Sequence, residues 1–191
     1  MEPARLSARA LACRRGERVL FRGLSFDLSA GEALHVAGPN GCGKTSLLRV
    51  LAGLLRPFAG EVSREGAMAL VDGRLALDDH LPLGRALAFW GRLDGHDQHL
   101  DRLGLAPLAD VPVRYLSTGQ KKRAAIARLA GQNAPIWLLD EPLNGLDTDA
   151  VALVEAMVAD HTGAGGVAII ASHQPFRLAA ARRLHLPDHA A

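Results

Sequence analysis

Residues 38–45 read Gly-Pro-Asn-Gly-Cys-Gly-Lys-Thr and fit the pattern G-x-x-x-x-G-K-[ST]. They follow a short apolar run, residues 33–37, and precede residues 44–55, whose leucines recur with helical spacing. A strand, a glycine-rich turn and a helix in this order form a phosphate-binding loop, in which backbone N–H groups and the lysine contact phosphates. The residues predicted to bind the nucleotide are Gly38, Pro39, Asn40, Gly41, Cys42, Gly43, Lys44, Thr45 and Ser46.

A second apolar run, residues 136–139, ends in the acidic pair Asp140 and Glu141. Open α/β sheets bind ligands at the carboxyl ends of their strands, so this pair is expected beside the loop. Asp140 and the Thr45 hydroxyl are predicted to hold Mg2+, and Glu141 to orient the water that attacks the γ-phosphate. An Asp-Glu pair alone is more often a solvated strand end, but an apolar strand that follows a phosphate-binding loop favours catalysis.

A third motif, Leu-Ser-Thr-Gly-Gln at residues 116–120, opens a helix that is predicted to run from Ser117 to about Gly131. Ser117 is a plausible N-cap, and two lysines and an arginine at residues 121–123 fill the first turns. Cations near a helix N-terminus oppose the helix dipole. The placement therefore favours an anion that docks against this end of the helix.

The rest of the chain alternates strands and helices, which predicts an α/β fold with a mostly parallel sheet. Further strands are expected at residues 5–13, 19–28, 61–63, 67–71 and 167–171, the first two as an antiparallel pair. Further helices are expected at residues 83–93, 96–105 and 147–161, and a final helix–strand pair follows residue 171.

Composition excludes several classes of protein. The 191 residues include 49% hydrophobic and 22% charged residues, which is typical of a globular protein and excludes collagen-like and disordered chains. A net charge of +2, without long basic runs, gives no reason to expect nucleic acid as a partner. Two cysteines cannot build a disulfide framework, and charges interrupt every apolar run before it could span a bilayer.

The three motifs together resemble those of the ATP-binding-cassette (ABC) ATPases, whose signature LSGGQ is similar to residues 116–120. Residues 144–147, Asn-Gly-Leu-Asp, look like the family's D-loop, and residues 171–173, Ala-Ser-His, look like its switch histidine. The resemblance implies that two cassettes sandwich two ATP molecules as a homodimer. Ser117, Gly119 and Gln120 would then act in trans, Asp147 would lie in the D-loop, and His173 would join Lys44 and Glu141 in catalysis.

The resemblance implies one ABC ATPase domain over residues 1–191, with a small N-terminal antiparallel β subdomain and a helical subdomain at about residues 72–133. A narrower resemblance, over roughly residues 4–175, is to the heme exporter ATPases of bacterial cytochrome c maturation. It implies a peripheral subunit on the cytoplasmic face of the inner membrane, bound to a permease, whose ATP hydrolysis supports heme export or release of heme from a heme chaperone. The chain has no C-x-x-C-H motif or Cys/His cluster, so no direct heme binding is expected.

Two positions depart from the family pattern. Cassettes usually place an aromatic ring near the turn of the first strand pair to stack on adenine, but residues 14–16 are Arg-Arg-Gly here, so Arg15 is the candidate contact. Arg74 stands where the family has a glutamine that senses magnesium and meets the permease. A guanidinium cannot ligate magnesium, so Arg74 is expected either at the permease contact, at an ATP phosphate, or in solvent.

Four other classes of function agree less well with these motifs or are left open by them. A cassette that energises transport of another substrate is the alternative, since the membrane partner selects the substrate. A clamp ATPase of DNA maintenance would separate the loop from the signature by a very long coiled-coil insertion. A phosphate-loop kinase would need neither the signature nor the Asp-Glu pair, and a nucleotide-binding scaffold would be expected to lack Glu141 or His173.

Overall fold

The computed structural model describes residues 4–95 and 100–190, which form two sheets and four α-helices. The strands are β1 (Arg5–Arg15), β2 (Arg18–Ser29), β3 (Ala33–Ala37), β4 (Ala59–Glu65), β5 (Met68–Val71), β6 (Ile136–Asp140), β7 (Val167–Ser172) and β8 (Ala181–His185). The α-helices are α1 (Lys44–Leu51), α2 (Leu83–Asp94), α3 (Thr118–Gly131) and α4 (Thr148–Gly163). None of the helices in these two ranges is long and apolar enough to cross a bilayer.

A five-stranded parallel sheet in the order β5-β6-β7-β3-β8 forms the centre of the molecule. A separate antiparallel sheet has the order β2-β1-β4. The α/β fold with a mostly parallel sheet and an N-terminal antiparallel part is therefore confirmed. Because parallel strands share a direction, the carboxyl ends of β3, β6 and β7 meet at one edge, where ligand sites form.

Alternation along the central strands divides the core into two layers. Leu138 and Ile169 face one side of the sheet, where they pack with α1 and the antiparallel sheet. Leu139 and Ile170 face the other side, where they pack with residues of α2, α3 and α4. Both faces of β6 and β7 are thus covered, which explains why these strands are apolar without interruption.

Three predicted elements differ from the structure. Helix α1 ends at Leu51 instead of residue 55, because Gly53 adopts a left-handed conformation (φ +76°) and the chain turns there. The helix predicted at 96–105 falls partly on residues 96–99, outside the described residues, and beyond them only short 3-10 turns at Asp101–Leu103 and Ala106–Leu108 form.

The third difference follows β7. Residues 173–180, all of them described, contain no helix, although a final helix–strand pair was expected. Pro175 cannot donate a backbone hydrogen bond, and eight residues leave little room for a helix before β8 begins. The strand of the expected pair is present as β8, followed by a 3-10 turn at Leu186–His189. The helical subdomain boundary at about residues 72–133 stays a prediction.

Candidate active site

The glycine-rich loop connects β3 to α1, as its position between an apolar run and a helix predicted. Gly43 precedes the helix with φ +112°, a conformation that L-residues rarely adopt. A Cβ at this position would also lie 3.2 Å from the Leu20 Cβ atom on β2, a contact so close that Leu20 would have to shift by a few tenths of an ångström. Glycine thus lets the loop pack closely against the antiparallel sheet.

Lys44 is the most buried charged residue of the loop, with 5% of its surface exposed. Its ammonium group donates hydrogen bonds to the Gly38 and Pro39 carbonyl oxygens, at 2.8 and 3.1 Å. The same nitrogen lies 3.0 Å from Glu141 Oε1. The ion pair joins the loop lysine to the acid that directly follows β6, 97 residues away in sequence, so the fold brings the first two motifs into contact.

Thr45 and Asp140 form the second contact between the loop and β6. The Thr45 hydroxyl donates a hydrogen bond of 2.7 Å to Asp140 Oδ2, while Asp140 Oδ1 is buried with no partner among the described residues. Burial raises the pKa of Asp140, although the Thr45 hydrogen bond and the nearby lysines oppose the rise. A hydroxyl oxygen beside an unpartnered carboxylate oxygen is a donor set that suits Mg2+, so these residues fit the metal.

The described residues hold no group of three or more His, Cys, Asp and Glu that could bind a metal by themselves. Mg2+ is usually held by one or two carboxylates together with the phosphates of a substrate. The pair Thr45–Asp140 is consistent with such a shared site.

Glu141 occupies the centre of the site. Its carboxylate lies between Lys44 and His173, whose Nδ1 atom is 2.9 Å from Glu141 Oε2. The backbone of Glu141 has φ +47°, a strained conformation for a residue with a side chain. Its N–H donates to the Ala171 carbonyl of the neighbouring strand at 2.8 Å, which holds this conformation in place. The structure therefore brings Lys44, Glu141 and His173 together at one sheet edge, as the motifs predicted.

The predicted signature residues lie at the start of α3. Ser117 is the N-cap, and its hydroxyl accepts from the Gln120 backbone N–H at 3.2 Å, while Gln120 Oε1 accepts from the Ser117 N–H at 2.8 Å. This reciprocal pair is a capping box, which confirms the predicted N-cap. A Cβ at Gly119 would lie 2.6 Å from the Gly145 carbonyl oxygen, so only glycine lets the signature and the D-loop segment pack together.

Asp147 also has a structural contact within the chain. Its side chain accepts a hydrogen bond of 2.8 Å from the Ala150 N–H and caps α4. Within one chain, then, Ser117, Gln120 and Asp147 all cap helices. Their predicted roles across a dimer interface stay predictions.

A cavity of about 220 Å³ lies over the loop. It is lined by Leu20, Asn40, Gly41, Gly43, Lys44, Thr45, Ser46 and Glu141. Leu20 is a residue that sequence reasoning missed, because an apolar residue on an alternating strand gives no signal of a site. Arg15 is exposed at the end of β1 and does not line this cavity, so its contact with adenine stays a prediction.

Lys122 is the second residue that the sequence did not single out. It is half-buried on α3, and burial lowers its pKa, while the carboxylates of Asp140, Glu141 and Asp72 raise it. The positive charge of Lys122 is therefore held near the acids at the ends of β5 and β6. The basic stretch after the signature was the signal, but only the packing of α3 shows which of its cations faces the acids.

Arg74 follows β5 in an exposed loop. Its backbone N–H donates to Asp72 Oδ1 at 2.9 Å, while Asp72 Oδ2 lies 3.6 Å from Arg49 Nη2 of α1. Asp72, and not Arg74, thus connects this loop to the helix after the phosphate-binding loop. The Arg74 side chain forms no hydrogen bond or ion pair with the described residues.

Comparison with known proteins is consistent with this geometry. Residues 21–144 match the family model described as ABC transporter. The chain is 58% identical over 184 residues to the cytochrome c biogenesis ATP-binding export protein CcmA of Novosphingobium aromaticivorans, covering 96% of each chain. It is 53% identical to the protein of the same name from Sphingopyxis alaskensis, covering 88% of this chain and 89% of the relative.

Among solved structures, the chain is similar to a metal-chelate type ABC transporter in an inward-facing conformation. The TM-score is 0.79 and the sequence identity is 27%, over 98% of this chain and 81% of the other.

Proposed function

Because the chain belongs to the ABC transporter family, we propose that it is the ATP-hydrolysing subunit of an ABC transporter complex that supports c-type cytochrome biogenesis. The observation that carries the ATPase proposal is the contact of Lys44 and His173 with Glu141, next to the Thr45–Asp140 pair. The identity to the CcmA proteins over nearly the whole chain supports the role in cytochrome biogenesis.

The first step is binding of the ATP phosphates by the loop. Backbone N–H groups of residues 41–46 and the start of α1 provide positive ends of dipoles, and Lys44 provides a full charge. The Lys44 ammonium would exchange its contacts with the Gly38 and Pro39 carbonyls for phosphate oxygens. Bound Mg2+ would offset negative charge on the outer phosphates, with Thr45 and Asp140 as its protein ligands.

Hydrolysis is the attack of a water oxygen on the γ-phosphorus, which breaks the bond to the bridging oxygen of ADP. Glu141 is positioned to accept a hydrogen bond from the water and to align it, since phosphoryl transfer depends mainly on positioning and electrostatic stabilisation. His173 holds one Glu141 oxygen at 2.9 Å and can donate to the γ-phosphate once Glu141 turns to the water. Glu141 accepts the proton that the water loses and then releases it to solvent, and the products are ADP and inorganic phosphate.

The other half of each site would come from a second chain. In the proposed homodimer, Ser117, Gly119 and Gln120 of one cassette face the phosphates bound by the other. The start of α3 suits this role, because a helix N-terminus attracts an anion. Asp147 would approach the loop of the partner at the same interface.

The proposed partner is an integral membrane permease, and the chain would sit on the cytoplasmic face of the bacterial inner membrane as a peripheral subunit. Heme would be handled by membrane partners and not by this chain. No nucleic acid takes part in this proposal.

Glu141→Gln tests the catalytic assignment. We expect ATP affinity to stay within about threefold while turnover falls at least ~100-fold, because the amide cannot accept a proton and aligns the water poorly. The chain should then form a dimer in ATP and Mg2+, measured by light scattering. Glu65→Gln, an exposed acid on β4, is the matched control and should hydrolyse ATP normally. Turnover of Glu141→Gln equal to that of the control would contradict the assignment.

The cytochrome role is tested in the cell. A strain that lacks the chain, and one that carries only Glu141→Gln, should both lose heme-stained c-type cytochromes while retaining heme synthesis. Normal cytochromes in both strains, with ATPase activity of the purified wild type intact, would favour transport of another substrate.

A further inference from the structure

A second cavity, larger than the one over the phosphate loop, is centred away from that loop. It measures about 440 Å³ and opens on the sheet face that β3 and β8 present beside β7. Over β6 and β7 this face is covered by helices α3 and α4, whereas the described residues over β3 and β8 are those of the helix-free segment 173–180. The residues of β3 are buried, but β8 is an edge strand whose Arg183 and His185 are exposed, so the cavity opens at β8.

Strand register explains the shape of the cavity. His35 pairs with Arg183, and Ala37 pairs with His185, so these four side chains point to the same face of the sheet. Ala37 and Ala181 are small and leave space between the longer side chains. Pro175, Phe176 and Leu178 form an apolar wall above them, and the whole cavity has the size of a small-molecule site.

Hydrogen bonds hold the segment that covers the cavity. The Gln174 backbone N–H donates to Ser172 Oγ at 2.9 Å, and its side chain donates to Asn144 Oδ1 at 3.3 Å. The Arg177 N–H donates to Glu155 Oε1 at 2.7 Å. The cavity is therefore a defined feature of the fold, bounded on both sides by fixed elements.

The charges around the cavity favour an anion. None of its lining residues is acidic. His173 and His185 each contact a carboxylate, of Glu141 and Asp188, whereas Arg183 forms no ion pair with a described acid. The positive charge of Arg183 is thus available on a lining that also carries the polar side chains of three histidines and Gln174 beside the apolar wall.

His35 places a ring nitrogen without a hydrogen-bond partner in the cavity wall. The residue is 93% buried and lines the cavity, yet its Nε2 atom has no partner among the described residues. Burial lowers the pKa of His35 below its ordinary value of 6.5, although a backbone hydrogen bond with Ser172 opposes the fall, and the ring is therefore mostly neutral near pH 7. A buried polar atom without a partner is costly, and a ligand that bonds to it would recover that cost.

We propose that this cavity binds a small organic anion, with a flat apolar body against Phe176 and Leu178 and a phosphate, carboxylate or sulfonate group on Arg183. The site is distinct from the phosphate loop, although the two share a wall: Gly38, Pro39 and His173 line the cavity, and His173 contacts Glu141. An occupant would therefore touch the residue that positions the proposed catalytic acid. Binding itself does not depend on ATP hydrolysis.

The probe is 8-anilinonaphthalene-1-sulfonate, compared with N-phenyl-1-naphthylamine, which has the same rings without the sulfonate. We expect Arg183→Gln to lower the affinity for the sulfonate probe about tenfold, as for loss of a charge-assisted hydrogen bond. The affinity for the neutral probe should not change. Arg182→Gln is the matched control, because Arg182 is the next residue on β8 and bonds to Asp27 and Glu32 instead. Ala181→Leu should reduce binding of both probes by filling the cavity.

The binding position of the sulfonate probe is checked by NMR of the histidine rings in the wild-type chain. The sulfonate probe should shift the ring signals of His35 and His185, while His161, buried against Trp137, should not move. Thermal unfolding of each variant verifies the fold. Equal affinity of the sulfonate probe for Arg183→Gln and Arg182→Gln, or shifts confined to other histidines, would overturn the proposal. Phenyl phosphate and benzoate, used as competitors, then show which acidic group binds more tightly.

Discussion

Asp140, the proposed Mg2+ ligand, affects the stability of the chain through its buried charge. Its carboxylate is buried, has one unpartnered oxygen and has a pKa raised above the ordinary value of 3.8. A raised pKa means that the folded chain binds this proton more tightly than the unfolded chain does. The free energy of unfolding therefore falls as the pH rises from about 4 through the folded pKa. At neutral pH the ionised Asp140 destabilises the chain until a cation offsets its charge.

Asp140→Asn should accordingly raise the midpoint of thermal unfolding at pH 7.5 when ATP and Mg2+ are omitted, because the amide stays neutral and can still bond to Thr45. The same variant should lose the extra stabilisation that Mg2+ adds to ATP, together with ATPase activity. Both effects are measured by unfolding scans with and without nucleotide and metal. Asp110→Asn, at an exposed acid, is the control. A lower midpoint for Asp140→Asn than for the control would contradict the electrostatic account.

Lys122 belongs to the same group of charges as a positioning residue. Its charge favours the ionised form of Asp140, so Lys122→Met should raise the pKa of Asp140 further. We expect kcat at pH 7 to fall about three- to tenfold and the acid limb of the pH–kcat profile to move to higher pH. Methionine keeps the apolar stem, so packing of α3 is retained.

Lys121→Met is the matched control for that experiment. It removes a neighbouring charge on the same helix, but Lys121 does not contribute to the pKa of Asp140. Identical pH profiles for the two variants would show that Lys122 has no particular role at the site.

The residues of the loop and of the Asp-Glu pair could be selected from the sequence, because each motif is contiguous and its backbone setting follows from local patterns. Leu20 and Lys122 could not be selected in this way. Both reach the site through packing between distant elements, β2 against the loop and α3 against the sheet. No local pattern encodes such contacts.

Among the helices and strands, sequence patterns predict the positions correctly where an apolar pattern coincides with a cap or a turn. The N-cap Ser117 marks the start of α3, and the apolar run 33–37 coincides with β3. Patterns failed at residues 173–180, where alternation elsewhere in the chain favoured another helix but Pro175 and the short connection prevent one. This failure matters for function, because the missing helix leaves the cavity beside β8 open.

Helix α4 and β6 are joined by a stacked pair that responds to pH. The ring centroids of His161 and Trp137 lie 3.9 Å apart, and the angle between the ring planes is 8°. His161 Nε2 donates a hydrogen bond to the Val167 carbonyl oxygen at 3.3 Å. Burial lowers the pKa of His161 below its ordinary value of 6.5. The unfolded chain therefore binds this proton more readily, and stability that is full above pH 6.5 is lost as the pH falls below it.

His161→Phe should keep the stack and remove this dependence. Each such histidine contributes at most about 1.4 kcal/mol per pH unit to the slope of unfolding free energy between its two pKa values. We expect the variant to have a shallower slope between pH 6.5 and 5 in urea titrations than the wild-type chain, while the lowered pKa of His35 and the raised pKa of Asp140 contribute to the slope of both chains with opposite signs. His80→Gln, at an exposed histidine, is the control and should keep the wild-type slope. An unchanged slope for His161→Phe would contradict this assignment.

Across the whole molecule, exposed large apolar side chains are most frequent in one segment of the chain. Among the residues that the structure describes, seven large hydrophobic ones are exposed, and four of them lie between residues 72 and 133: Leu81, Phe89, Leu93 and Tyr115. Exposed apolar side chains that lie together on a protein surface are typical of a protein–protein interface. Arg74, also exposed, belongs to the same segment of the chain. The helical part is therefore the proposed contact with the permease.

Arg74 tests this arrangement, because its side chain bonds to nothing else in the described residues while its backbone holds the loop through Asp72. Arg74→Ala should leave basal ATPase activity of the isolated chain unchanged and lower the activity of the complex with the permease by about two- to fivefold, as for loss of a partly exposed charge pair. Arg22→Ala, at an exposed arginine on β2, should change neither activity. Loss of basal activity in Arg74→Ala would place its guanidinium at an ATP phosphate, and wild-type activity in both assays would leave it a solvated residue. Because β5 leads from the sheet directly into this loop, a decrease confined to the complex would mean that the permease contacts the chain one strand away from Asp140.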